Sequence, residues 1–416
     1  MSFDLSFGKS HTGVILNRLK STLLIGALAS SGITSASAQS TVTLYGVVDA
    51  GVQYISNVGV SQNTGAAGRP VSYASKSRLG FLSGGDFGNR WGLKGNEDLG
   101  DGLAAIFQLE NGFNIGNGAF GSSGTEFNRQ AFVGLASTRY GSLTLGRQYE
   151  AITDLLESYG PDFAGGIGTY PGDLSNFDNS IRINNSVKYK TPLYRGLTGE
   201  VLYGFGNTAG ALNTKSSFSA GFNYVQGPIA AGAAYLRMDN SGSSGNTWAG
   251  SADGNFGSSV TAGYAGARMV QIIDAVANYT FNALTVGANY GYTQYRPSGV
   301  SLFKHSVSYN SAGVGARYVY SPTVNVAGSY TYTVGQSVGN NASRPRYQNV
   351  GLVGFYTLSK RTSLYVYGGY QHASGSTLDA YGNIVDATAS VGDVANGSSA
   401  GSGNQTVVRI GMFNKF

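Results

Sequence analysis

The chain has no cysteine, only three histidines, two tryptophans and eight prolines among 416 residues, and just 12% of it is charged. Without cysteine there is no disulfide framework, no thiolate nucleophile and no Cys-ligated metal. A typical soluble domain is about 25% charged, so an ordinary water-facing surface is not what this composition describes. The histidines are His11, His305 and His372. They form no recognisable Ser/His/Asp arrangement, and no His/Asp/Glu spacing suggests a transition-metal site. Glycine-rich stretches such as Gly204-Phe205-Gly206 lack the Lys-Ser/Thr and following helix of a phosphate loop. The sequence therefore points to no enzyme, no cofactor and no metal. Long hydrophobic runs are missing too. The most apolar stretches, such as Ile229 to Leu236, fall well below the roughly 20 residues of a membrane helix.

What the chain does have is glycine and aromatics: 64 Gly, 28 Tyr and 20 Phe. Tyrosine, with an apolar ring and a wet hydroxyl, suits a membrane–water interface. Residues 1–38 read as an export signal. Lys9, Arg18 and Lys20 form a basic start, Leu23 to Ile33 a short apolar core, and Ala36-Ser37-Ala38 a small-residue cleavage site. Cleavage there starts the mature chain at Gln39. It leaves 24 basic and 20 acidic residues of the original 27 and 21, a net charge of +4 instead of +6. That mild excess, on an exported chain, gives no reason to expect nucleic acid as a partner.

Beyond residue 40 the hydrophobic pattern has a period of two. In Val286-Gly287-Ala288-Asn289-Tyr290-Gly291-Tyr292-Thr293, Val286, Ala288, Tyr290 and Tyr292 share one face and the smaller, more polar residues the other. At the end of the chain Val408, Ile410, Met412, Asn414 and Phe416 share a face, opposite Val407, Arg409, Gly411, Phe413 and Lys415. Breaks between such segments alternate. Tight ones fall at Gly100-Asp101, Arg139-Tyr140-Gly141, Gln226-Gly227-Pro228, Asn282-Ala283, Ser321-Pro322 and Ser359-Lys360-Arg361. Long ones fall at about 55–85, 150–180, 240–268, 297–307, 336–345 and 374–403. Short turns on one rim and long loops on the other are the signature of an antiparallel transmembrane barrel. The pattern predicts an all-β fold of sixteen strands starting near residues 41, 87, 102, 126, 142, 181, 197, 216, 229, 269, 284, 308, 323, 346, 362 and 404. No fixed short repeat argues for a β-helix, and the polar presumptive inner face argues against a soluble sandwich.

Several segments, in order, resemble the general bacterial porin family in its β-proteobacterial trimeric form. Thr41 to Gly51 looks like its first strand. Asn89-Arg90-Trp91-Gly92-Leu93-Lys94-Gly95-Asn96-Glu97-Asp98-Leu99-Gly100-Asp101-Gly102-Leu103 is the most specific match. Phe127 to Leu135, Gly141 to Tyr149 and Leu358 to Tyr365 follow, and a terminal aromatic, Phe416, closes the chain in family style. The resemblance spans residues 39–416, although the loops at 240–268 and 374–403 match nothing in it.

The resemblance implies a homotrimer in the bacterial outer membrane, surrounded by its lipid and passing small hydrophilic solutes and ions through water-filled channels. It also implies that the third long loop, Glu150 to about Ser180, folds into each lumen. That loop carries Glu150, Asp154, Glu157, Asp162, Asp173 and Asp178 and no Lys or Arg. Gly160-Pro161-Asp162-Phe163-Ala164-Gly165-Gly166 is similar to the family's loop-tip motif, with Asp162 where the family usually has Glu. Arginines at positions matching Arg90, Arg129 and Arg182 form a basic wall opposite this loop in the family. Strand parity agrees when Trp91 and Leu93 face lipid, which turns Arg90, Gly92 and Lys94 inward. With Phe132 outward, Arg129, Ala131 and Val133 would face inward. Lys94 and Arg147 are secondary candidates. Opposed charges across a constriction create a transverse field that orients dipolar solutes. The expected outcome is mild anion preference at most.

Overall fold

A strand whose alternate residues are apolar and polar can separate two solvents, and that is how this chain uses its two-residue period. The computed structural model describes residues 40–64, 70–160, 162–240, 246–340, 342–392 and 398–416; the export signal read at 1–38 lies outside them. The strands are β1 (Thr41–Thr64), β2 (Pro70–Ser83), β3 (Arg90–Gly100), β4 (Leu103–Gly112), β5 (Gln130–Ser137), β6 (Gly141–Gln148), β7 (Ile183–Lys190), β8 (Leu197–Gly204), β9 (Ser217–Gln226) and β10 (Ile229–Asp239). They continue with β11 (Met269–Phe281), β12 (Leu284–Arg296), β13 (Val307–Val319), β14 (Val324–Gly335), β15 (Arg346–Thr357), β16 (Thr362–Ser374), a small separate hairpin of β17 (Ser376–Leu378) and β18 (Ile384–Asp386), and β19 (Asn404–Lys415).

From β3 onward each wall strand pairs antiparallel with the next, and β19 pairs with both β16 and β1. The closing register runs from Val47 opposite Lys415 to Ile55 opposite Val407. Closure satisfies both edges that an open sheet would expose. β2 and β3 both pair with β1, β2 against its second half and β3 against Thr41–Val47. They therefore stand end to end in one wall position, and the wall has sixteen staves. The sixteen expected strand starts fall within four residues of the observed ones.

One expectation fails. The break placed at about 55–85 is mostly strand: β1 continues to Thr64 and β2 begins at Pro70. The misreading has a physical source. This hairpin carries three register shifts, and each shift interrupts the alternation by which a strand is recognised. The real interruption is at 84–89, where the chain inserts extra residues between β2 and β3. Gly84 and Gly88 take positive φ values of 73° and 64°. A Cβ on Gly84 would lie 2.9 Å from the Gly88 Cα. Asp49 holds this insertion, its carboxylate accepting from the backbone N–H of Asp86 at 2.7 Å and of Phe87 at 3.0 Å.

The distribution of side chains is the reverse of a soluble protein's. Ile410 is 64% exposed while its neighbour Arg409 is 1% exposed. Leu44, Leu79, Leu145, Val314 and Leu352 are likewise exposed, whereas Asp49, Glu110, Lys188, Glu200 and Asp274 are buried. Apolar surface on this scale is stable only against lipid. Exposed Tyr140, Tyr194, Phe281, Tyr318, Tyr320, Tyr356 and Phe416 cluster at the short-turn rim, forming an interfacial aromatic girdle. Asn414, on the apolar face, gives its amide to Thr362 Oγ1 at 2.8 Å. No helix among the described residues is long and apolar enough to cross a membrane.

The segment between β6 and β7 contains a one-and-a-half-turn helix, α1 (Ala151–Leu156), and 3-10 turns at Glu157–Tyr159, Asp162–Ile167 and Pro171–Asp173. Its apolar residues are buried: Ile152, Leu156, Leu174 and Phe177 cluster with Leu202, Leu236 and Ile272, while Phe163, Ala164 and Ile167 cluster with Val353, Tyr365 and Tyr367. Polar residues of the wall hold its backbone. Asn223 gives its amide to Leu155 O at 3.2 Å, Thr293 its hydroxyl to Leu174 O at 2.7 Å, and Asn349 its amide to Ile167 O at 2.9 Å. These donors sit on β9, β12 and β15, on the face opposite the lipid-facing residues, so the segment lies against the inner face of the wall.

Candidate functional site

Three arginines converge from three wall positions. Arg90 opens β3 directly after the glycine-flanked insertion, Arg129 immediately precedes β5, and Arg182 immediately precedes β7. All three line a cavity of about 1020 Å³. Asp154, Glu157 and Asp178, from the segment after β6, line the same cavity, as do Glu110, Asp86, Tyr149 and Arg317.

Their contacts form a continuous network. Arg129 Nε donates to Glu110 Oε1 at 2.8 Å, and Arg90 Nε lies 3.9 Å from Glu110 Oε2. The Arg129 and Arg182 guanidiniums stand 5.9 Å and 5.2 Å from the centre of the Tyr149 ring. Stacking of this kind lets two cations sit near one another at reduced cost. Both also donate to Asn179 Oδ1, at 3.4 Å and 3.2 Å, and Asn179 passes the contact on through Nδ2 to Glu157 Oε1 at 2.9 Å. Burial pushes the Glu157 carboxyl above its ordinary value; the Asn179 amide and the charges of Arg129 and Arg90 oppose that rise without cancelling it. Asp154 shows the opposite balance. Burial would raise its carboxyl, but Lys188, then Lys190, outweigh burial and hold it below the usual range. Lys188 Nζ pairs directly with Asp154 and also reaches Tyr149 O at 3.2 Å.

The barrel closes with sixteen staves, and charged residues of both signs line one cavity. A model of the family described as Gram-negative porin matches residues 22–376.

The chain belongs to that family.

An outer membrane porin protein of Bordetella pertussis is 34% identical over 371 residues, covering 85% of this chain and 94% of that relative. The outer membrane porin protein 32 of Delftia acidovorans is 36% identical over 222 residues, 51% of this chain and 58% of that protein. Among solved structures, the anion-selective porin from Comamonas acidovorans superposes with a TM-score of 0.64 at 24% identity, covering 91% of this chain and all of that one. An outer membrane protein of Vibrio cholerae, lacking one loop, superposes with a TM-score of 0.60 at 16% identity, covering 91% of this chain and 99% of that one. The protein is a bacterial outer-membrane porin, a water-filled channel for passive diffusion.

Within this porin the remaining candidate residues go to different places. Glu150 is fully buried and caps α1, accepting from the N–H of Ile152 at 2.6 Å and of Thr153 at 3.1 Å and from the Asn176 amide at 2.8 Å. Asp173, also buried, braces a turn by accepting from Asp178 N at 3.0 Å and Ser180 Oγ at 2.7 Å. Both carboxylates serve the fold of the loop. The side chain of Asp162 lies outside the described residues. Lys94 lies 5.5 Å from the Tyr45 ring centre and is not among the cavity's lining residues.

Arg147 is absent from the lining too. It pairs with Asp253 at 2.6 Å and lies opposite Ala131, on the face of exposed Leu143 and Leu145. The parity argued for β5 is corrected as well. Val133 is 59% exposed and pairs with Phe107, whereas Phe132 pairs with Gln108 on the face of Glu110. Arg129 reaches the interior because it precedes the strand, where alternation no longer binds it. Glu110, Lys188 and Arg317 were overlooked. Counting by twos would have found Arg317, which follows inward Gly313 and Gly315 on β13.

Proposed function

We propose that this porin works as a homotrimer of channels, each with a weak preference for anions set by a basic wall facing an acidic loop. The carrying observation is the placement of Arg90, Arg129 and Arg182 around one cavity with Asp154, Glu157 and Asp178. A transverse field between such groups favours small, hydrated, polar solutes over apolar ones. The preference is weak because Glu110 stands between two of the arginines and the loop adds its own negative charge. The name of the anion-selective neighbour supports the same sign.

Transport here is downhill diffusion, with no catalytic step, cofactor or metal. Residues 1–38 act as the cleaved export signal, and residues 39–416 form the channel. Zero-current potentials of the purified protein across a KCl gradient test the selectivity: a small potential of chloride sign supports the reading, and a strongly potassium-selective one refutes it. Three equal conductance steps per insertion event support the trimer. N-terminal sequencing of the exported protein should begin at Gln39.

A further inference from the structure

Among the described residues four arginines line the cavity, and the proposed basic wall accounts for three of them. The fourth, Arg317, is on β13. Taking β1 as the first stave, and β2 with β3 as the second, β5 is the fourth and β13 the twelfth of sixteen. Arg317 therefore stands half-way round the barrel from the stave that Arg129 precedes. Its inward direction follows from its neighbours: a Cβ on Gly315, two residues earlier, would lie 2.5 Å from the Phe163 ring of the loop segment. The Arg317 guanidinium itself lies 5.8 Å from that ring's centre. Among the described residues it has no carboxylate within 4.0 Å, like Arg182 and unlike Arg90 and Arg129, and it is exposed to the water of the cavity.

We propose that Arg317 is a specificity-determining residue, a second cationic station for small inorganic anions on the wall opposite the arginine trio. It rests on the reading of the channel as weakly anion-preferring. An arginine is ionised at any working pH. One uncompensated charge about 10 Å from an ion in water changes local anion density about two-fold. Arg90 and Arg129 share Glu110, so their net effect per residue is smaller. The station thus supplies a larger part of the preference than either of those two arginines.

The test is the chloride-to-potassium permeability ratio in planar bilayers for the wild type, Arg317→Gln, Arg317→Lys and Phe163→Leu, each first shown to fold by its heat-modifiable migration. Arg317→Gln should lower the ratio about two-fold, Arg317→Lys should restore most of it, and Phe163→Leu should leave it unchanged. An unchanged ratio in Arg317→Gln overturns the proposal. So does an equal fall in Phe163→Leu, because Arg317 would then act by positioning the loop. The weak anion preference itself is tested separately by the wild-type ratio. A cation-preferring wild type in which Arg317→Gln still lowers the ratio two-fold would refute that preference while supporting the station.

Discussion

Arg129 Nε donates to Glu110 Oε1 at 2.8 Å, so the proposed basic wall carries its own buried carboxylate. Glu110 also accepts from Tyr45 Oη at 2.8 Å and lies 3.9 Å from Arg90. One acid is therefore shared by two arginines and a tyrosine. It fixes where the cations point and cancels part of their charge.

Removing that charge while keeping the shape should strengthen anion preference. Glu110→Gln should raise the chloride-to-potassium permeability ratio, and Arg129→Gln should lower it. Reversal potentials of both variants in the same salt gradient check the pair of opposite signs.

Acid should act in the same direction as Glu110→Gln. Burial raises the Glu157 carboxyl above its ordinary value, so Glu157 takes up its proton at a higher pH than a free glutamate, whose value is about 4.3. As pH falls toward that range the loop loses a negative charge while the arginines keep theirs. Anion preference should therefore grow on mild acidification, measured as reversal potential against pH. Asp86 lines the same cavity and burial pushes its carboxyl up to about 6, so Glu157→Gln should remove part of that change and leave the part that Asp86 contributes.

Asp154 and Lys188 tie α1 of the loop to β7. Because the lysine holds Asp154 below the usual carboxylate range, the tie contributes stability above that range and loses it as pH falls through the depressed value. It should survive the mild acidification that neutralises Glu157. Lys188→Met leaves a largely buried carboxylate without its partner, a defect that costs about 3–5 kcal/mol when burial is complete. Some of that is screened here, since the Asp154 side chain is 22% exposed. The expected results are noisier open-channel current and earlier loss of loop order in hydrogen exchange, with the barrel strands still protected.

The lipid face gives a separate check on the fold. Val314 is 57% exposed and points away from the interior. Val314→Arg should cost about 2–4 kcal/mol if the residue lies near the bilayer midplane. Gln130→Arg, inside the cavity, should cost far less. Urea titrations of refolding into lipid vesicles measure both.

Much of this fold was legible because a barrel wall repeats one simple rule. Ile410 out and Arg409 in could be read by counting by twos, and the alternation of short and long breaks gave the number of staves. The rule failed where the backbone departs from it. Register shifts hid the β1–β2 hairpin, and Arg129, just outside β5, escaped the parity applied to Phe132 and Val133. Glu150 and Asp173 were legible as acids of the loop but not as its internal braces, because a hydrogen bond to a backbone N–H leaves no trace in composition. Arg317 follows the rule and was overlooked because its importance comes from standing across the barrel from residues far away in sequence.

The most direct test is the zero-current potential of purified protein across a KCl gradient, for the wild type and for the double variant Arg90→Gln, Arg129→Gln. A basic wall opposed by an acidic loop predicts a small potential of chloride sign in the wild type and a shift toward potassium in the variant. A strongly potassium-selective wild type, or a variant indistinguishable from it, would contradict the account.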